Sequence, residues 1–388
     1  MSQPVALQAN ATLPWLGGGD LATWIIAISI LVSTILSVLA FLGIAQGMQM
    51  RVWRAQIESR LRIIEGYIGE VRDLVLERLR RAGVEDADKT VDTAMEYFMV
   101  EPVSIEPTDI IKRLERILRT GEERIESLVA RMLRGRVSWQ EERNIVTLLT
   151  ILNALNTVYK VVRHMLLLGV KLKNPMLVMQ AWMLLPLYMR IAKAYRDAAK
   201  VIMKGIPIGD AAGPLAAYRL ISSLPKLEGP TEIAKDTVYA LLDYEGRRVV
   251  VVKAKGPGST VGRPGEAVEK LVEMLPDKSK IKAIITVDAA LKLEGEKTGS
   301  VAEGSGVAMG DPGPEKIRIE RIAARLGVPL YAVAIKMGME EAITAMKREV
   351  ADGVEEAVER VRGIIRDVAG EGDVVIVVGV GNTVGVAQ

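Results

Sequence analysis

Val374-Val375-Ile376-Val377-Val378 runs directly into Gly379-Val380-Gly381-Asn382-Thr383-Val384-Gly385, and the chain closes at Gln388. Five β-branched residues in a row bounded by glycine read as a strand buried on both faces, as found inside parallel sheets. The glycines suggest a dinucleotide loop at first sight. Such a loop must deliver the chain into a helix whose N-terminus faces the pyrophosphate, and only three residues follow Gly385. That reading is rejected.

Moving back along the chain, similar Val/Ile runs occur at 249–254, 281–287 and 329–335. Helical stretches lie near 211–223, 265–275, 315–326, 339–348 and 353–368. This alternation predicts an α/β domain over 205–388 with a mostly parallel sheet. In such sheets ligands bind beyond the carboxyl ends of the strands, so the loops after these runs are the candidate binding loops.

The first half has a different texture. No charged residue occurs from Leu21 to Ala45, and at about 1.5 Å per residue this stretch exceeds the roughly 30 Å hydrocarbon core. Residues 21–46 are therefore expected to form one transmembrane helix embedded in the lipid bilayer. The preceding tail, 1–20, lacks the positive n-region of a cleavable signal, so the anchor is expected to stay. Arg51, Arg54, Arg60 and Arg62 follow, which places the C-terminal bulk in the cytoplasm and the tail outside. Asn10-Ala11-Thr12 is then an N-glycosylation pattern on the appropriate side. Residues 47–204 read as a helical domain: a stripe from Val52 to Leu79, a second helix opened by Thr108-Asp109, a third over about 139–170, and a fourth from Pro175 to about Met203 with Pro186 inside it. Charges at Lys160, Arg163, Lys171 and Lys173 favour buried helices over further spans, with Met176, Met179, Met183 and Met189 as core. This domain is also the candidate surface for homo-oligomers.

Composition narrows the chemistry. With 51 Lys and Arg against 48 Asp and Glu, no net field favours nucleic acid, and no nucleic-acid partner is expected. The chain has no cysteine, which removes disulfides, thiolate metal sites and thiol nucleophiles. His164 is the only histidine, so it has no second imidazole for metal or triad chemistry and reads as a packed or surface residue. Helices dense in Glu, Arg and Ile suggest a thermophilic source.

Oxygen chemistry remains. Asp210 lies between Gly209 and Gly213 at a helix start, where an N-cap is the simplest role. Asp288 ends a buried strand, where a carboxylate is either a loop clamp or a catalytic group. The loop with Gly256, Gly258, Ser259, Thr260 and Arg263 lacks the Lys-Ser or Lys-Thr of a Walker A loop; it is either a strand-to-helix turn or an anion site.

Together these loops resemble the hydrogenase-maturation and spore-germination endopeptidases. In those families a strand ends in Gly-x-Gly-Asn, an acid precedes a glycine-containing helix start, and a later strand ends in Asp-Ala. Gly379, Gly381 and Asn382 match the first element, Asp210 with Gly213 and Pro214 the second, and Asp288-Ala289 the third. The order implies a circular permutation that returns the C-terminal strand beside 205–214. The resemblance implies a peptidase-like hydrolase with Asp210 and Asp288 as catalytic residues and Gly379, Gly381, Asn382 and Thr383 walling the cleft. The histidine of the hydrogenase branch is missing, which argues against nickel recognition. Over its whole length the chain also resembles an archaeal family of membrane-anchored proteins of unknown function. Two alternatives accompany this expectation: a non-catalytic scaffold or anion-binding module, and a hydrolase in which Asp210 and Asp288 hold a divalent cation such as Mg²⁺.

Overall fold

The computed structural model describes residues 21–41, 44–97, 109–310 and 313–388. Asn10 and the connector at 101–107 lie outside these. Six helices come first: α1 (Leu21–Phe41), α2 (Ile44–Arg81), α3 (Ala87–Met95), α4 (Ile110–Leu133), α5 (Trp139–Lys171) and α6 (Pro175–Met203). A 3-10 turn at Gly209–Ala211 leads into α7 (Ala212–Ser223), followed by β1 (Lys226–Ala234), β2 (Thr237–Tyr244), β3 (Arg247–Ala254), α8 (Pro264–Met274), β4 (Ile281–Leu291), β5 (Val301–Ser305), α9 (Pro314–Leu326), β6 (Leu330–Met337), α10 (Met339–Ile343), α11 (Arg348–Val368) and β7 (Val374–Gly379). The chain thus has a helical N-terminal part and a C-terminal α/β domain.

The chain forms two compact units, Met1–Arg60 with Arg163–Leu185, and Leu61–Val162 with Pro186–Gln388. In the first, α1 carries exposed apolar side chains from Trp24 to Val38. The Ser29 and Thr34 hydroxyls donate back to the carbonyls of Ile26 and Ile30, which satisfies them without water. Trp53 of α2 stacks on Trp182 of α6 with ring centroids 5.9 Å apart. Two expectations are corrected here. Among the described residues the two helices long and apolar enough to cross a membrane are α5 and α6, while the apolar stretch of α1, Trp24–Val38, is shorter, so the expected single span is not singled out. Met176 and Met183 are exposed at 55% and 63%, so the α6 methionines do not form a core stripe. His164 sits on the surface.

In the second unit the helices close over one core. Ile64, Val71, Val75 and Leu79 of α2 are buried with Leu148, Leu152 and Leu155 of α5 and Ala199 and Ile202 of α6. Ile208 and Val384 join this cluster, so it includes segments from both ends of the α/β domain. Asp109 precedes α4 without a side-chain capping bond, which corrects its expected role. Its φ of 59° marks the left-handed conformation that Asp tolerates.

The sheet has seven strands in the order β1-β2-β3-β7-β4-β6-β5. The four runs expected from sequence form its centre, and β3, β7, β4 and β6 pair in parallel. β1 and β2 extend one edge antiparallel, and β5 adds antiparallel to the other. The sheet is therefore mixed, which corrects the mostly parallel expectation. β1, Lys226-Leu-Glu-Gly-Pro-Thr-Glu-Ile-Ala234, hides in sequence because an edge strand tolerates charge, Gly and Pro. β5 is short and rich in small residues. The helix expected at 339–348 stops at Ile343, where Thr344 turns extended.

One face of the sheet packs on α7 and α11 through residues such as Val251, Ile285 and Val377, and the other on α8 and α9 through Val252, Ile284 and Val378. β7 is buried at every position, as five consecutive β-branched residues demand.

Candidate functional site

Three chain segments converge at the carboxyl edge of the central strands because glycine permits it. A Cβ on Gly213 would stand 2.2 Å from the carbonyl oxygen of Val380 and 2.4 Å from that of Val287, so α7 begins directly against the ends of β7 and β4. Gly381 has φ +130°, and a Cβ there would lie 2.0 Å from the carbonyl oxygen of Asp210. Only glycine allows both conformation and contact. No helix follows Gly379 among the described residues, in keeping with the rejected dinucleotide reading.

Asp210 occupies the 3-10 turn. The N-cap of α7 is Ala211, and no side chain caps it. The carboxylate instead takes its hydrogen bond from across the site: the main-chain N–H of Asn382 donates to Asp210 Oδ2 at 2.9 Å. The helix-cap explanation of Asp210 is thereby replaced. Asp288, on β4, is 4% exposed. Its Oδ1 accepts the N–H of Ala289 at 2.7 Å, and the Gly310 amide also donates to this carboxyl.

The two acids feel one another. Burial, then the charge of Asp210, pushes Asp288 up to about 8, against the opposing pull of the Ala289 and Gly310 amides and of Lys316. Burial also raises Asp210, and the Asn382 N–H counters it in part. At neutral pH Asp288 is the member that keeps its proton.

Beside them opens a cleft of about 460 Å³. Among the described residues Asp210 is its only charged lining residue; the rest is apolar or glycine, including Ala290, Ala332, Ala334 and Val307 to Gly310. Asp288 is not itself a lining residue, but its chain neighbour Ala289 is. The alanines and the 307–310 segment carry no sequence signal, since nothing distinguishes an alanine on a cleft floor from one in a core.

The remaining expected residues serve the architecture around this cleft. Thr383 is fully buried; its hydroxyl lies 2.9 to 3.0 Å from the carbonyl oxygens of Lys255, Gly258 and Thr260 and can donate to one at a time. The Asn382 Nδ2 donates to Ser259 Oγ at 3.0 Å. In the glycine-rich loop, the amide of Ser259 donates to Asn144 Oδ1, that of Gly262 to Thr260 Oγ1, and that of Arg263 to Thr237 Oγ1. The Arg263 guanidinium faces Glu122 at 3.5 Å and Glu266 at 3.9 Å. Gly258 packs against Trp139, and a Cβ on Gly256 would meet the carbonyl oxygen of Val386. Gly209 lies equally close to the backbone of Glu341. Protein acceptors occupy the Ser259, Gly262 and Arg263 amides, and the Thr147 hydroxyl donates to the Ser259 carbonyl, so the loop docks α5 onto the sheet. A second, smaller cleft of about 270 Å³ borders it, lined by balanced charges such as Arg143, Lys235, Glu126 and Asp236. Among the described residues no group of three or more His, Asp or Glu could hold a metal ion.

Fold and site define a class: an α/β protein with paired buried carboxyls at the carboxyl edge of a mixed sheet, joined to a helical N-terminal part. Residues 31–205 match the family described as protein of unknown function (DUF1512), N-terminal domain, and residues 208–387 match its C-terminal domain. The chain belongs to the DUF1512 family. No curated protein matches it.

Proposed function

We propose that the protein is a membrane-tethered hydrolase acting on peptide bonds through Asp210 and Asp288. The observation that carries this is the pairing itself: Asp210, which takes the Asn382 N–H, lines the cleft, and Asp288, which feels its charge, is held protonated by burial and by that neighbour. Asp210 takes a proton from water as it attacks the carbonyl carbon; Asp288 donates a hydrogen bond to the carbonyl oxygen and then its proton to the departing amine. The meeting of the 210–214, 287–289 and 379–382 segments supports the permuted likeness to the endopeptidases. The tether is α1: its 21 residues of about 1.5 Å rise cover roughly 30 Å, its apolar side chains face outward, and the arginines that follow hold the C-terminal bulk in the cytoplasm.

The test is cleavage by the full-length chain in lipid nanodiscs, with Asp210→Asn and Asp288→Asn beside it. Each substitution is expected to lower turnover at least 100-fold. Cleavage at the wild-type rate by both variants would exclude the pair.

A further inference from the structure

The register of the sheet draws a row of small residues leading away from the acids. Asp288 of β4 stands opposite Ala334 of β6, and Ala334 stands opposite Ala302 of β5. Val287, Val333 and Ile335 face the core on the α7 side, so by alternation Asp288, Ala334 and Ala302 share the opposite face. The next row down is Thr286, Ala332 and Gly304. There the returning chain crosses the sheet, because the Ala308 N–H donates to Thr286 Oγ1 at 2.7 Å. The 307–310 segment, Ala332, Ala334 and Asp210 all line the cleft. Leu291 belongs to the cleft lining and is 65% exposed, with Leu293 at 73% and Met339 at 50% on neighbouring segments.

We infer that this cleft is an uncharged-substrate slot, which receives an extended peptide segment with small apolar side chains and excludes acidic ones. The inference rests on the Asp-pair reading of the same cleft and names its substrate class. Three observations carry it. Among the described lining residues there is no basic side chain to meet an anion, and the single titratable group, Asp210, is an acid. The alanine floor leaves apolar depth beside the acids, and the volume falls within the range of ligand sites. Protonated Asp288 supplies a donor and the Asp210 oxygens an acceptor, which matches the C=O and N–H of a peptide bond.

The experiment is binding by full-length protein in nanodiscs of end-blocked hexapeptides: an Ala/Leu/Val series, and the same peptides with a central Glu. The apolar series is expected to bind at least 10-fold more tightly than the Glu series. Ala334→Leu, which fills the floor, and Leu291→Asp, an exposed substitution that leaves the core untouched, are each expected to weaken apolar binding at least 10-fold. Binding that survives without any cleavage by wild type retires the hydrolase reading and leaves the slot intact. Equal binding of both series, indifference to Leu291→Asp, or no binding at millimolar peptide overturns the slot.

Discussion

The main-chain N–H of Asn382 donates to the carboxylate of Asp210 across 172 residues of sequence. This bond ties the loop after the last strand to the turn that opens the α/β domain. Asn382 contributes its backbone here, while its side chain holds Ser259.

Gly381→Ala tests that anchor. A Cβ at this position would overlap the carbonyl of Asp210 at a φ that L residues rarely adopt. The expected cost exceeds about 2 kcal/mol by denaturant unfolding. Hydrolysis should fall with it, because relief of the overlap displaces Asp210 from the cleft.

Asp288 should make the protein less stable as pH rises. Its carboxyl titrates near 8 in the fold and near 3.8 when unfolded. Between those values the native state holds more protons, so stability is present below pH 3.8 and is lost progressively toward pH 8. At pH 7 the burden is on the order of 4 kcal/mol. Thermal unfolding of Asp288→Asn should exceed wild type near pH 7 and match it near pH 4, with turnover abolished throughout.

Lys253 is a second buried charge, outside the acid pair. It is fully buried on β3, its Nζ donates to the carbonyl of Ala254 at 3.1 Å, and burial lowers it to about 8. From pH 8 to 10.5 the unfolded chain holds more protons, so wild-type stability rises across that window. Lys253→Met should therefore stabilise at pH 7 by on the order of 3 kcal/mol. The gain should vanish by about pH 11.

The acid limb should come from Glu341. Burial raises it, but Lys347, the Gly338 amide and Thr298 outweigh burial and hold it down at about 2. Its contribution is present above pH 4.5 and is lost as pH falls through 2. Glu341→Gln should destabilise by up to about 3 kcal/mol at pH 7 and by nothing near pH 2, read by chemical denaturation.

Membrane topology has a clean assay, because the chain contains no cysteine. A single Ser2→Cys should react with an impermeant maleimide on intact cells, and a single Glu371→Cys only after lysis. Reversed labelling would place the α/β domain outside.

Sequence alone determined the four central strands, since unbroken Val/Ile runs such as 374–378 suit only a position buried on both faces. It also pointed to the acids, through the glycines beside Asp210 and the Val/Ile run before Asp288, although β4 continues past Asp288 to Leu291. The antiparallel edges escaped it, because an edge strand such as β1 need not look like one. Tertiary structure decided the rest. A free carboxylate at a helix start reads as a cap until Asn382 arrives from the far end of the chain to claim it. The loop at 256–263 reads as either a turn or an anion cradle, and only the fold shows Asn144 and Thr237 taking two of its amides. The cleft floor of Ala332 and Ala334 exists only through strand register, which brings residues more than forty positions from Asp288 beside it. Hydrophobic pattern is local and legible in the chain, whereas hydrogen-bond partners and register follow from the closed sheet.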